Sequence, residues 1–261
     1  MARDPSEIKV HGFHAAMAVF RHRPSDIVRT FVVEDRVKAA SPLLKWSAAH
    51  KRPYHVVSDA ELANITATSH HEGLVVVAKR HPTLSWDEFK EPLIPAARSL
   101  RGPEVLIYLD GVGNPHNLGS IMRTAAHFGV RCILGPESLP HLSPAIYRVA
   151  EGAAEVVRLV KLDEPLKRLG ELLECGFKLM GTSSHKGEAL FTSKLPSRLI
   201  LILGAEGQGM SPAMSSKVSG FVKIPGTGMV ESLNVSVAAA LLMGEFHRQH
   251  AATAKKPLRS K

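Results

Sequence analysis

The chain has 261 residues, 44% of them apolar, and its 33 Lys/Arg outnumber its 24 Asp/Glu to give a formal charge of +9. This is ordinary globular composition, with length for two domains or one large one. Two cysteines, Cys132 and Cys175, argue against a disulfide framework. No apolar run approaches a membrane span, and Met1-Ala2-Arg3-Asp4-Pro5 lacks the apolar core of a signal peptide, so a cytoplasmic protein is expected.

The charge is uneven. Residues 1–82 carry 12 basic against 8 acidic side chains, residues 83–103 balance, and the tail from Ala251 has 4 basic and no acidic residues. A polyanion such as nucleic acid would be drawn to the first segment and the tail, although a merely soluble basic surface has the same composition.

In chain order, Ile8–Arg21 has helix-like apolar spacing through Phe13, Ala16, Met17 and Phe20. Ile27–Val33 and Tyr54–Val57 read as strands, Ala60–Ile65 as a short helix capped by Asp59, and Gly73–Ala78 as a buried strand. Residues 1–82 are therefore expected to form a small α/β domain. His11-x-x-His14 and His70-His71-Glu72 match no familiar zinc spacing, so no metal site is expected. Residues 83–103, with Pro92, Pro95 and Pro103, read as a linker holding one helical turn at Trp86–Phe89.

From Glu104 the pattern alternates. Val105–Leu109, Val130–Leu134, Glu155–Val160, Lys178–Gly181 and Leu199–Leu203 read as strands; Asn117–Phe128, Pro165–Cys175 and Pro212–Ser219 read as helices. Such alternation predicts a parallel sheet covered on both faces, with ligands bound beyond the carboxyl ends of its strands. Residues 104–250 form this second domain, and the tail 251–261 is basic and aperiodic.

Three loops fall at such strand ends. The first, Asn114-Pro115-His116-Asn117-Leu118-Gly119-Ser120-Ile121-Met122-Arg123, places Arg123 six residues after Asn117 on one helix. The helix dipole does not favour a cation there, so either an anion meets Arg123 or it is an ordinary surface arginine. Gly111-Val112-Gly113 is no dinucleotide fingerprint, because His116 stands where the third glycine is needed. The second loop, Leu203-Gly204-Ala205-Glu206-Gly207-Gln208-Gly209-Met210-Ser211, is backbone-rich around a single acid. The third follows a short strand: Ile224-Pro225-Gly226-Thr227-Gly228-Met229-Val230-Glu231-Ser232-Leu233-Asn234 runs into the helix Val235–Phe246, capped by Ser232 or Asn234.

In order and spacing, Asn-x5-Arg, Gly-Ala-Glu-Gly-x-Gly-Met-Ser and Ile-Pro-x4-Val-x-Ser-Leu-Asn-Val-Ser-Val-Ala closely resemble the three motifs of the SpoU/TrmH family of RNA ribose 2′-O-methyltransferases. The resemblance covers about residues 104–250. Val10-His11-Gly12-Phe13-His14-Ala15-Ala16 and His71-Glu72-Gly73-Leu74 look, more loosely, like the substrate-binding domain that precedes it in many members.

The resemblance implies an α/β fold: a C-terminal Rossmann-like parallel sheet tied in a deep trefoil knot, preceded by a small α/β RNA-binding domain. It implies S-adenosyl-L-methionine as cofactor, held by backbone groups at Leu203, Gly204, Ile224, Met229 and Leu233. It implies RNA as substrate, with rRNA favoured over tRNA because of the extra domain, and a homodimer formed through the helix Val235–Phe246. Arg123 matches the essential arginine; Asn117, Glu206, Ser232 and Asn234 match the other catalytic positions. A guanidinium is a poor base, so Arg123 is expected to orient the hydroxyl and stabilise negative charge. Two other readings remain: an RNA-binding protein that keeps the fold without catalysis, against which the complete set of polar residues argues, and a base methyltransferase, against which Asn-x5-Arg argues.

Overall fold

The computed structural model describes residues 4–91 and 102–250. Most of the expected linker beyond its helical turn, and the basic tail, lie outside the described residues. Its contacts divide the chain into two compact units. The first comprises residues up to Pro82 with Leu118–Arg123 and Pro140–Val157; the second comprises Thr83–Asn117, Thr124–Leu139 and the chain from Arg158. Two segments beyond residue 104 thus cluster with the N-terminal residues. The helices in chain order are α1 (Phe13–His22), α2 (Val37–Ala49), α3 (Asp59–Thr66), α4 (86–91), α5 (Pro115–His127), α6 (Pro144–Ala150), α7 (Pro165–Glu174), α8 (Pro212–Ser215) and α9 (Val235–His250).

In the first unit, β1 (Glu7–His11), β2 (Ile27–Val33), β3 (Tyr54–Val57) and β4 (Leu74–Lys79) form a sheet in the order β1-β4-β2-β3. β4 is antiparallel to both its neighbours, and β2 runs parallel to β3. Its inner position accounts for the unbroken apolar run Leu74–Ala78, which is buried throughout. The helix expected over Ile8–Arg21 is confined to α1. Ile8 and Val10 are buried at strand period in β1, and Gly12, at φ 98°, turns the chain into α1. α3 is capped by Ser58 rather than Asp59: Ser58 and Glu61 satisfy each other's backbone N–H in a capping box.

The later segments of this unit are held by close packing and by one buried ion pair. α6 packs on β1 and α1. At Gly152 a Cβ would lie 2.7 Å from that of Ala18, so only glycine lets the chain pass. The side chain of Glu155 is fully buried and takes two hydrogen bonds from Arg23, Nε to Oε2 at 2.7 Å and Nη2 to Oε1 at 3.0 Å. Residues 153–155 form a 3-10 turn, and the strand expected at Glu155–Val160 begins instead at Arg158.

The second unit is built on β5 (Leu84–Ser85), β6 (Glu104–Asp110), β7 (Cys132–Pro136), β8 (Arg158–Leu162), β9 (Lys178–Thr182), β10 (Glu188–Ala189), β11 (Arg198–Gly204) and β12 (Gly220–Lys223). Their order is β10-β12-β9-β11-β6-β7-β8-β5, and every pairing is parallel. From β6 the chain moves outward through β7 to β8, then returns to build the other side from β9. The reversal lies between β6 and β11, where open α/β sheets bind their ligands. Trp86 and Phe89 of α4 join the core with Leu169, Leu172 and Phe177, and Trp86 Nε1 donates to Glu171. The helix expected over Pro212–Ser219 stops at Ser215.

Candidate active site

The register of β11 on β6 sets Leu203 beside Leu109 and Gly204 beside Asp110, so the loops after both strands begin at one level. Asp110 Oδ2 accepts a hydrogen bond from Ser211 N at 2.7 Å, tying the far end of the second loop to β6. Within that loop Ala205 and Gly209 exchange backbone hydrogen bonds at 3.0 and 2.8 Å. The turn folds back so tightly that a Cβ on Gly204 would lie 2.3 Å from the carbonyl carbon of Gly209. Close backbone approach, rather than a positive φ, is what requires glycine here.

Glu206 stands at the tip of this turn. Its Oε1 accepts from Asn234 Nδ2 at 2.7 Å, from Asn117 Nδ2 at 3.3 Å and from Val235 N at 3.3 Å. Asn234 Nδ2 also donates to Asn117 Oδ1 at 3.1 Å. Asn117 is buried, in the first turn of α5, whose cap is Asn114. Asn234 is the cap of α9: its Oδ1 accepts from Ser236 N at 2.9 Å. One carboxylate therefore joins three loops, satisfying two carboxamides and a helix-start N–H.

Ser232 is exposed and takes no part in this network, so the cap of α9 is Asn234 and not Ser232. Arg123 is carried by α5, and its Nη1 lies 2.8 Å from Glu151 Oε1. Nothing in the local sequence around Glu151 singled it out, since the pair forms between residues on different helices. Asp110 lies outside the three loops singled out in the sequence, and its tie to Ser211 likewise requires the fold. Cys132 carries no sign of a nucleophile: burial pushes its thiol up to about 12, with the nearby Glu104 adding to the effect. Among the described residues no group of His, Cys, Asp and Glu could hold a metal ion.

The residues expected to hold a cofactor offer backbone groups and apolar side chains, which fit the adenosine part of such a ligand. Leu203 is buried in the sheet, so it offers only backbone. Gly204 presents backbone alone. Ile224 opens a stretch without regular structure that runs to Asn234, on which Met229 is 89% and Leu233 43% exposed. Backbone N–H and C=O groups beside exposed apolar side chains fit the hydrogen-bonding edge and the flat faces of a purine.

The fold and loops define an α/β protein in which three loops are joined at the carboxyl ends of a parallel sheet. Comparison with known proteins narrows this class. Residues 104–244 match the model of the SpoU rRNA methylase family, and residues 9–84 match that of the RNA 2′-O ribose methyltransferase substrate-binding domain. The chain is 35% identical over 246 residues to the uncharacterized tRNA/rRNA methyltransferase YfiF of Escherichia coli O157:H7, covering 94% of this chain and 69% of that protein. It is 34% identical over 241 residues to the 23S rRNA (guanosine-2′-O-)-methyltransferase RlmB of Bordetella pertussis, covering 91% and 96%. The SpoU methyltransferase AviRb from Streptomyces viridochromogenes, solved with AdoMet, superposes with a TM-score of 0.75 at 21% identity over 95% of this chain and 92% of that one. The chain belongs to the SpoU rRNA methylase family. It is an RNA 2′-O-ribose methyltransferase with an N-terminal substrate-binding domain.

Among the described residues, no helix is long and apolar enough to cross a membrane.

Proposed function

We propose that this protein methylates a ribose 2′-hydroxyl of ribosomal RNA, with S-adenosylmethionine as methyl donor. The observation that carries the reading is the Glu206 carboxylate shared by Asn117, Asn234 and the start of α9, because it joins the three loops that hold the family's motifs. Ribosomal RNA is favoured over transfer RNA by the relatives named for 23S rRNA and by the substrate-binding domain at residues 9–84.

The cofactor supplies a methyl group on an electrophilic sulfonium. The backbone of Leu203, Gly204, Ile224 and the Met229–Leu233 segment would hold its adenine. Arg123 orients the 2′-hydroxyl and the neighbouring phosphate, and stabilises the negative charge that grows on oxygen as its proton passes to solvent water and the methyl is taken from sulfur. Asn117 and Asn234 fix the loop ends that flank the ribose, and Glu206 keeps both in place. Ser232, exposed beside them, contacts substrate.

The domain organisation that goes with this reading is a substrate-binding domain at 1–82, a linker at 83–103 whose first part, β5 and α4, packs into the second unit, a methyltransferase domain at 104–250 tied in a trefoil knot, and a basic tail at 251–261. The basic first segment and tail grip RNA phosphates in the cytoplasm. The enzyme acts as a homodimer joined through α9, on which Val237 and Leu241 are 49% and 37% exposed. Light scattering of Val237→Glu and Leu241→Glu variants tests the dimer; two fully dimeric variants would rule out this interface.

The decisive experiment is transfer of labelled methyl from S-adenosylmethionine to RNA from cells lacking this protein, with wild type and Arg123→Ala compared. Label is expected in a 2′-O-methylnucleoside from the large ribosomal RNA, and is lost with Arg123→Ala. Label on a base would instead support a base methyltransferase. Cofactor binding absent alongside RNA binding would support a non-catalytic RNA-binding protein.

A further inference from the structure

We infer that Glu151 is a positioning residue for Arg123, holding the guanidinium in the pose it needs during methyl transfer. This rests on the role given to Arg123 above. Glu151 Oε1 lies 2.8 Å from Arg123 Nη1. A guanidinium has five donors, so this contact fixes one side and does not exhaust the rest. The arginine side chain remains 58% exposed, open to a substrate while it is held.

The packing brings the two together. Gly119 and Arg123 are four residues apart and lie on one face of α5. At Gly119 α5 is pressed against α6: a Cβ there would lie 2.8 Å from Val149 Cβ and 3.0 Å from the carbonyl oxygen of Ile146. This close approach of the helices carries the next turn of α5, with Arg123, to the end of α6, where Glu151 stands.

Glutamate is a poor local choice at that end. Glu151 adopts the left-handed conformation, φ 45° and ψ 45°, in which side chains other than glycine and asparagine are disfavoured. Its charge also sits at the negative end of a helix. The conformation is imposed from both sides, by α6 before it and by Gly152, pinned on Ala18, after it. A half-exposed ion pair adds little stability to offset this. What the carboxylate contributes is order: four torsions of the arginine are restricted before substrate arrives, so less freedom is lost on reaching the reactive geometry.

The test measures kcat and KM for methyl transfer to ribosomal RNA from cells lacking this protein, in wild type, Glu151→Gln, Glu151→Gly, Arg123→Ala and the double variant Arg123→Ala/Glu151→Gly. Glu151→Gly favours the left-handed backbone and guards against a folding defect in Glu151→Gln. Both Glu151 variants are expected to melt no lower than wild type and to lose about tenfold in kcat, with KM within about twofold. Glu151→Gly is expected to add nothing to the loss in Arg123→Ala. Unchanged or increased kcat in Glu151→Gly, with Arg123→Ala inactive, overturns the positioning role and leaves Arg123 essential. Full activity in Arg123→Ala overturns both.

Discussion

Glu206 and Asn234, 28 residues apart in the chain, meet through a 2.7 Å hydrogen bond from Asn234 Nδ2 to Glu206 Oε1. The same Asn234 caps α9 through its Oδ1, so one side chain registers the helix against the loop after β11. Because Asn117 shares the acceptor, displacement of any one of the three loops disturbs the other two.

Glu206→Ala removes an ionic acceptor from three donors. Hydrogen bonds to charged groups contribute about 1.5–3 kcal/mol each when buried, and Glu206 is exposed, so the cost to stability is expected below about 1 kcal/mol. The cost to catalysis is larger, about tenfold to hundredfold in kcat/KM, because loop alignment is lost. Glu206→Gln keeps one acceptor oxygen and should fall between. Steady-state methyl transfer alongside thermal melts checks both parts; equal activity in all three proteins would refute the shared-anchor role.

Gly204→Ala should abolish cofactor binding with the fold retained. The added Cβ, 2.3 Å from the backbone of Gly209, forces the turn open, at a cost of about 1–3 kcal/mol for an overpacked site. Calorimetric titration with S-adenosylmethionine is expected to give no heat, while circular dichroism matches wild type. Wild-type affinity in this variant would mean the closed turn is not needed for the ligand.

The pair Arg23–Glu155 should be among the most sensitive points of the first unit. Arg23 also donates to the backbone oxygen of Lys79, and Glu155 has no exposed side-chain surface. Arg23→Met strands a buried carboxylate and should cost about 3–5 kcal/mol, whereas Arg23→Met/Glu155→Leu should recover most of that. Urea denaturation of the two variants reads the difference directly. A double variant no more stable than the single one would mean that packing, and not the stranded charge, sets the cost.

The C-terminal end of α9 predicts a pH dependence. Hydrogen bonding from Arg248 holds the Glu245 carboxyl down to about 2 from 4.5, against the opposing effect of burial and with help from Gln249. A folded value below the unfolded one gives stabilisation that is complete above 4.5 and is lost as pH falls toward 2. Between about pH 6 and pH 3, wild type should therefore lose more stability than Glu245→Gln, in which the titrating group is gone. Parallel melting curves at the two pH values provide the measurement, and identical losses would remove Glu245 as a source of acid sensitivity.

Much of this protein was legible in its residues. Val105–Leu109 and Leu199–Leu203 are short apolar runs and Ile27–Val33 is rich in β-branched residues, as strands are, and each is a strand. The loops could be read because their glycines and polar residues sit next to one another in the chain, as in Gly204–Gly209. Other elements were hidden by competing local signals. Ile8–His11 shares apolar spacing with the helix that follows it, and the position of Gly12 becomes decisive only when β1 has β4 to pair with. α2 contains Pro42, which argues locally against a helix, yet its buried Leu43 and Leu44 hold it in place.

The sequence by itself determined the alternating strands and helices from Glu104, the three glycine-rich or polar loops at their ends, and the identity of the side chains available for chemistry. These depend on periodicity and on the backbone freedom of individual residues, which act over a few positions. Only the tertiary structure decided which side chains meet: Asn117 with Glu206 and Asn234, Arg23 with Glu155, and Arg123 with Glu151. Those partners are brought together by strand order and by helix contact at Gly119, and a hydrogen bond or ion pair operates over about 3 Å of space whatever the separation along the chain.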